Sequence, residues 1–372
     1  MSWQRPAPPM QRELAVDGLR ALALLAVIAV NWVGYTSLPE AGPLGPAQAT
    51  SSWLAQLSLA LVAVLLAGKG ISLLAFLFGY SQGLSRRARG RDALAHRRLR
   101  MRRLLALGLL HGVFIYMGDV LTLYAISGLL ILSWSGLRLR QLWRRMMMLL
   151  GLELLLSLAI AVWLLQGGWV EKSDELRSLT QATNGWAWIR LNGGNFIAGV
   201  LGQLLLALPF FTGLMTAGLI AARLRLFSHR RWRASLQRWA SRWLWPGLVL
   251  NLVWGLTLWQ ALRSQNERLE QLCWSVYIWF ALALLAGLVP RLVLAAQRGS
   301  RLMLQLAPAG PHTLSIYIGS SLLSLLLFSG LGLSLPFGTA ALLGLSLLYW
   351  SLWISWAPRI KIRLPLEAWL SR

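Results

Sequence analysis

The chain has 372 residues, 57% of them hydrophobic and 13% charged, with 36 Lys and Arg against 12 Asp and Glu for a net charge of +24. So little polarity excludes an ordinary soluble domain, and the single cysteine, Cys273, excludes an intrachain disulfide framework. Such a charge suits either a nucleic-acid binder or a membrane protein with basic loops, and the spacing of the basic residues decides between them.

Apolar stretches of about 18 residues or more recur along the chain, each long enough to cross roughly 30 Å of hydrocarbon. In lipid the backbone must satisfy its own hydrogen bonds, so these stretches are expected to be helices. The expected fold is all-α: a polytopic membrane bundle in one domain, 1–372. Its ten transmembrane helices fall at 16–35, 60–84, 103–118, 120–136, 145–166, 197–221, 241–262, 272–290, 313–332 and 337–356.

The connections alternate. Arg5 and Arg12 precede the first span, and 36–59 has no Lys or Arg. Nine Arg then lie between Arg86 and Arg103, and the turn at Gly118–Asp119 has none. Arg138, Arg140, Arg144 and Arg145 precede the fifth span, whereas 167–196 mixes both signs. Seven Arg follow from Arg223 to Arg242, then a balanced connection at 263–271, then Arg291, Arg298 and Arg301. The turn at 333–336 is uncharged, and the tail carries Arg359, Lys361, Arg363 and Arg372. This pattern predicts both termini in the cytoplasm and no nucleic-acid partner. The Arg clusters are expected to anchor the topology and to bind anionic lipid head groups. Trp32, Trp53, Trp134, Trp143, Trp163, Trp169, Trp243 and Trp259 fall near span ends, where an aromatic belt is expected. The first span also has the basic flank and apolar run of a signal peptide, but the alternation works only if it is retained. The chain has no Walker-type glycine loop, no metal-spaced Cys/His set and no Gly-x-Ser-x-Gly elbow.

The second apolar run, Trp53 to Leu84, is 32 residues, close to 48 Å as one helix. Either its first part lies along the interface, or it is tilted, or it breaks at Gly68-Lys69-Gly70. Lys69 then lies within the bilayer and needs a partner or a wet cavity.

Ionisable and amide groups inside spans are the candidate functional residues: Asp17, Arg20, Asn31, Lys69, His111, Asp119, Tyr124, Glu153, Gln203 and Asn251. Each also has a structural reading. Asp17 and Arg20 are spaced to pair on one helix face. Asn31, Gln203 and Asn251 suit interhelical hydrogen bonds, Lys69 can snorkel, and Asp119 suits a helix N-cap. His111 stands eight residues past Arg103, about 12 Å along a helix, near the midplane and about two turns before Asp119. Histidine at that depth is either a hydrogen-bonded structural group or a proton-transfer group.

Four stretches carry a resemblance: "VDGLRALALLAVIAVNW", "GKGISLLAFLFGYSQGL", "RRLLALGLLHGVFIYMGDVLTLYAISGLLIL" and "APAGPHTLSIYIGSSL". They resemble the YeiB-like family of bacterial inner-membrane proteins, domain of unknown function 418. The third is the most specific. Carried over residue by residue, the family's marks fall on Asp17, Arg20, Asn31, Lys69, Phe78, Gly79, His111, Gly118, Asp119, Tyr124, Gly310 and Tyr317. Ala21, Ser315-Ile316, Leu364 and Ala368 depart from the pattern, which bears on the ninth helix and the tail more than on the centre.

The first helix of that family is similar to that of membrane acyltransferases, which move an acyl group from cytosolic acyl-CoA to a sugar or glycan. Many of those have a catalytic histidine eleven residues after the arginine, where this chain has Asn31. Asparagine cannot act as a base, so His111 is the remaining intramembrane candidate, oriented by Asp119 or Tyr124. His312 is a more distant one. Three functions stay open. In an acyltransferase-like enzyme, Asp17, Arg20, Asn31, Lys69 and Tyr317 would bind donor or substrate, and His111, Asp119 and Tyr124 would do the chemistry. No bound cofactor or metal is expected, with acyl-CoA as donor substrate. The alternatives are a transporter of a small polar or anionic solute, with Asp119 and His111 as a proton relay, and a non-catalytic membrane scaffold.

Overall fold

The computed structural model describes residues 13–36, 53–85, 91–168, 182, 184–264 and 266–371, and every regular element among them is helical. In chain order the α-helices are α1 (Leu14–Thr36), α2 (Trp53–Leu61), α3 (Lys69–Ser85), α4 (Arg91–Phe114), α5 (Leu121–Ser133), α6 (Leu139–Leu165), α7 (Gly185–Trp188), α8 (Gly194–Leu206), α9 (Leu208–Arg223), α10 (Arg233–Arg263), α11 (Glu267–Gln297), α12 (Arg301–Leu306), α13 (Thr313–Phe328), α14 (Thr339–Trp356) and α15 (Pro365–Ser371).

Six of the helical segments among the described residues are long and apolar enough to cross a membrane: Leu14–Val33, Leu57–Leu84, Leu139–Leu165, Glu267–Gln297, Arg301–Phe328 and Thr339–Arg359. A seventh arises if Gly185–Leu206 and Leu208–Arg223, bent by 59° between them, are one span. Each of the ten expected spans has helix at its place, but length and composition support only six or seven. The difference lies in three elements. α5 has 13 residues, about 20 Å of helix, short of the hydrocarbon thickness. α4 begins in the Arg-rich run and brings that charge into the same helix. α10 combines Arg at both ends with Pro246, Asn251 and several Trp.

α1 is the central strut, packed against α3, α13, α14 and the 3₁₀ segment Ala307–His312. Trp32, expected in an interfacial belt, instead lies in this core: it packs on Phe328 and Tyr349 and donates its indole N–H to the Ser320 carbonyl at 3.2 Å. Trp53, Trp143 and Trp163 are exposed, as a belt requires. Along α3 and α9 the backbones approach so closely that side chains at Gly79 and Gly218 would collide with backbone of the other helix, the small-residue packing that suits helix pairs in lipid. Asn251 ties α10 to α11 by donating to the Gly247 and Phe280 carbonyls.

The long second run is broken, as its length required. It passes through a π-helical turn, Val62–Leu66, then an extended Ala67 and a left-handed Gly68 at φ +75° before α3 starts. The break exposes backbone carbonyls, and Lys69 uses one. Its buried Nζ donates to the Ala63 carbonyl at 3.0 Å and lies 5.3 Å from the Trp254 ring centroid. A backbone dipole and an indole face thus hold the cation, in place of a carboxylate or a wet cavity. Gly68 is required twice, for its positive φ and because a Cβ there would sit 2.9 Å from the Tyr277 ring. Gly68→Ala is expected to cost about 1–2 kcal/mol from the backbone alone, with a further loss from the ring contact. A lowered Tm in detergent checks this; an unchanged Tm would contradict the break as described.

Candidate functional site

α4 ends at Phe114 rather than running on toward residue 118, and the chain folds back through a short turn into α5. Two side chains secure that reversal from outside. Asn192 Nδ2 donates to the Gly112 and Val113 carbonyls at 2.9 and 2.8 Å, and its Oδ1 accepts from the Met117 N–H. Trp188 donates to the Phe114 carbonyl at 3.0 Å. The freed carbonyls at the end of α4 therefore have partners. Asn192 lies in a π-helical segment, Ile189–Gly193.

The reversal brings Asp119 back onto His111. A continuous helix would keep them about 12 Å apart over eight residues; instead His111 Nδ1 and Asp119 Oδ1 are 2.9 Å apart, both side chains fully buried. Asp119 Oδ2 accepts from the Thr122 N–H at 2.8 Å and from its hydroxyl at 2.7 Å. Asp119 therefore holds the first turn of α5, from one residue before its N-cap Val120, with one oxygen and faces His111 with the other. With Oδ2 so occupied, Oδ1 is the acceptor that faces the ring; a neutral imidazole that donates its Nδ1–H there keeps its lone pair on Nε2. That Nε2 is buried and has no hydrogen-bond partner among the described residues. Tyr317 packs on the same imidazole at 5.2 Å between centroids, and Tyr116 meets it edge-on. The Tyr317 hydroxyl is buried beside the Val120 backbone.

Tyr317 is also a wall of a cavity of about 1140 Å³. Asp17, Arg20, Ser81, Arg100, Lys361, Arg363 and Glu367 line one part of it; Leu24, Val27, Leu74, Phe78, Leu104, Leu121 and Tyr124 line another. Asp17 and Arg20 pair at 3.0 Å, and the Arg20 guanidinium also donates to the Ser81 hydroxyl, joining α1 to α3. Tyr80 adds a second tie to Glu13 at 2.7 Å. The tail closes the other side. Glu367 accepts from the Ser315 N–H and hydroxyl at 2.8 and 2.6 Å, and the Trp369 carbonyl accepts from Arg103. Neighbouring protein partly strips water from the Arg100 guanidinium, and Arg20 and Arg363 add like charge, so its pKa lies below the ordinary arginine value.

The expected site residues divide into three groups. Asp17, Arg20, Tyr124 and Tyr317 line the cavity; His111 and Asp119 lie behind its Tyr317 wall. Lys69 and half-buried Asn31 are outside the lining. Asp119, not Tyr124, contacts His111; Tyr124 gives its hydroxyl to the Ile71 carbonyl and so ties α5 to α3. His312 lines the cavity. The sequence reading missed Thr122, Asn192, Ser81, Arg100 and Glu367. Arg100 was indistinguishable within its basic run. Among the described residues no group of His, Cys, Asp and Glu is suited to hold a metal.

The Asp17–Arg20 pair should be energetically coupled. In a double-mutant cycle on Tm in detergent, Asp17→Asn and Arg20→Gln are expected to interact by about 1 kcal/mol; strict additivity would contradict direct pairing.

No curated protein matches the chain. Residues 221–360 match the family model described as Protein of unknown function (DUF418), a stretch that runs from the end of α9 through α14 and includes Tyr317. Over that stretch the chain is similar to the DUF418 family.

Proposed function

We propose that the protein is a multi-pass enzyme of the bacterial inner membrane that moves an acyl group from a cytosolic acyl-CoA to a polar or glycan acceptor. In this reading ten membrane spans form one domain with both termini in the cytoplasm, and the basic loops rest on anionic lipid. Nucleic acid has no part in this reading. One observation carries it: a buried, carboxylate-oriented imidazole with an unmatched Nε2 lies against the wall of a cavity that has cations on one side. Tyr317 would have to turn aside from the imidazole; an acceptor hydroxyl admitted there would give its proton to His111 Nε2 as its oxygen attacks the thioester carbonyl. The C–S bond then breaks, and the departing thiolate recovers the proton. Asp119 holds the ring and stabilises the imidazolium during the step, an orienting role.

Substituting His111 tests the chemistry. His111→Gln keeps bulk and some hydrogen bonding but carries no proton. Acyl transfer, followed as labelled acyl groups on cellular glycans, is expected to fall at least about 100-fold, the usual scale of general-base loss, while the protein still inserts and stays monodisperse. Wild-type transfer by this variant would overturn the assignment of the base.

A second reading has its own support: the two interrupted helical runs, at Ala67–Gly68 and at the 59° bend near Ala207. Broken helices are a feature of transporter sites. There His111 and Asp119 would relay protons for a small anionic solute, and deletion of the gene would alter uptake or efflux without altering acylation.

The topology is tested separately. Reporter fusions at Pro46 and Gly185 are expected to score extracytoplasmic, and those at Gly90, Ser235 and Ser300 cytoplasmic. An extracytoplasmic Gly90 would overturn the ten-span arrangement.

A further inference from the structure

The cavity changes character in one direction on three helices at once. Along α1 its lining runs from Asp17 and Arg20 to Leu24 and Val27. Along α3, read from its C-terminal end, it runs from Leu84 and Ser81 to Phe78 and Leu74; along α4 it runs from Arg100 to Leu104. Three independent helices therefore place polar or cationic groups at one end and only apolar ones beyond. The occupant that matches such a gradient has an anionic head and a hydrocarbon chain.

At the polar end four cations, Arg20, Arg100, Lys361 and Arg363, stand against three carboxylates, Glu13, Asp17 and Glu367, an excess of one positive charge among the described lining residues. All three carboxylates that line the cavity are engaged: Asp17 by Arg20, Glu13 by Tyr80 and Glu367 by Ser315. Arg100, Lys361 and Arg363 line the same end and form no ion pair among the described residues. Arg100 lies close enough to Arg20 and Arg363 for their charges to repel it. Arg100, Lys361 and Arg363 are exposed, so solvent screens part of this repulsion, but like charges held together still favour the entry of an anion. Arginine forks suit phosphate oxygens in particular, because two parallel N–H bonds match the geometry.

We propose that Arg20, Arg100 and Arg363 form a subsite for the phosphate of a phosphate-bearing amphiphile, whose chain lies in the Leu24–Val27–Leu74–Phe78–Leu104 sleeve. The C-terminal segment is then a wall of the binding site, held by Glu367 on Ser315 and by Trp369 on Arg103. The ligand's phosphate can come from the membrane, as a phospholipid head group, or from the cytosol, as the phosphates of an acyl thioester. The proposal goes beyond the acyl-transfer reading and does not rest on it, since a phosphate subsite would serve a transport cavity equally.

The test is binding of palmitoyl-CoA, lysophosphatidic acid, coenzyme A and inorganic pyrophosphate to the purified full chain in a phosphate-free maltoside detergent, read by calorimetry. At least one of the two ligands that combine phosphate with a chain is expected to bind more tightly than either phosphate-only probe. Arg100→Gln and Arg363→Gln are each expected to weaken that binding about tenfold, one charge-assisted hydrogen-bond pair. Arg102→Gln is the control: Arg102 is on the same helix, exposed and outside the lining, and its loss should leave binding unchanged. Preference for palmitoyl-CoA supports the proposal with a cytosolic source; preference for lysophosphatidic acid supports it with a membrane source. Arg363 is exposed on the tail, so its variant keeps the test valid if the Arg100 variant loses monodispersity. Unchanged binding by Arg363→Gln, or equal weakening by Arg102→Gln, would overturn the proposal. His111→Gln should bind as wild type, so a failed base and a failed phosphate subsite give different results.

Discussion

A polar side chain inside an apolar bundle persists only where its neighbours replace the water it gave up. The contact between Asp119 and His111 is the place where this constraint shapes most of the structure. It requires α4 to stop at Phe114, the chain to reverse, and α5 to begin with Thr122 over the second carboxylate oxygen. The reversal in turn strands the last carbonyls of α4, and Asn192 and Trp188 reach across from the segment before α8 to meet them. Two stretches of chain distant in sequence, 111–122 and 188–192, are thus committed to holding one imidazole in one orientation. Structure on that scale around a single buried ring is what preorganisation of a reactive group needs.

The same constraint explains Lys69 without any chemistry. Breaking the second helical run frees a carbonyl at Ala63, and the ammonium takes it beneath the Trp254 ring. Asn251 is likewise satisfied between two helices. The polar residues of this bundle therefore separate by what surrounds them. Some close their hydrogen bonds on backbone and serve architecture. Arg20, Arg100 and Arg363 line a cavity with Asp17, and His111 lies behind its Tyr317 wall with an unmet Nε2.

Much of this was legible in the sequence, and the remainder was hidden for physical reasons. Helix existence followed from apolar run length, and the break near Gly68 followed from a run too long to cross upright. The number of spans was less legible. Charge alternation marks the sides of loops but does not measure the helices between them, and α5 is only 13 residues. Asp17 and Arg20 could be paired from their spacing, because the helix fixes their geometry. His111 and Asp119 could be named but not brought to 2.9 Å, because the contact depends on a chain reversal beyond Phe114 that periodicity does not encode. Arg100 and Glu367 were invisible for the same kind of reason: their meaning comes from the tail folding back over the cavity, a contact between distant parts of the chain.

The account rests most directly on the orientation of one ring. Nitrogen-15 spectra of imidazole-labelled protein in detergent at neutral pH would resolve it, with the His111 signal assigned by its loss in His111→Gln. The account predicts a ring protonated on Nδ1 and hydrogen-bonded there, with a bare Nε2, and predicts that Asp119→Asn disturbs this signal far more than those of His96, His229 and His312. A His111 ring with its proton on Nε2, or one indifferent to Asp119→Asn, would contradict it.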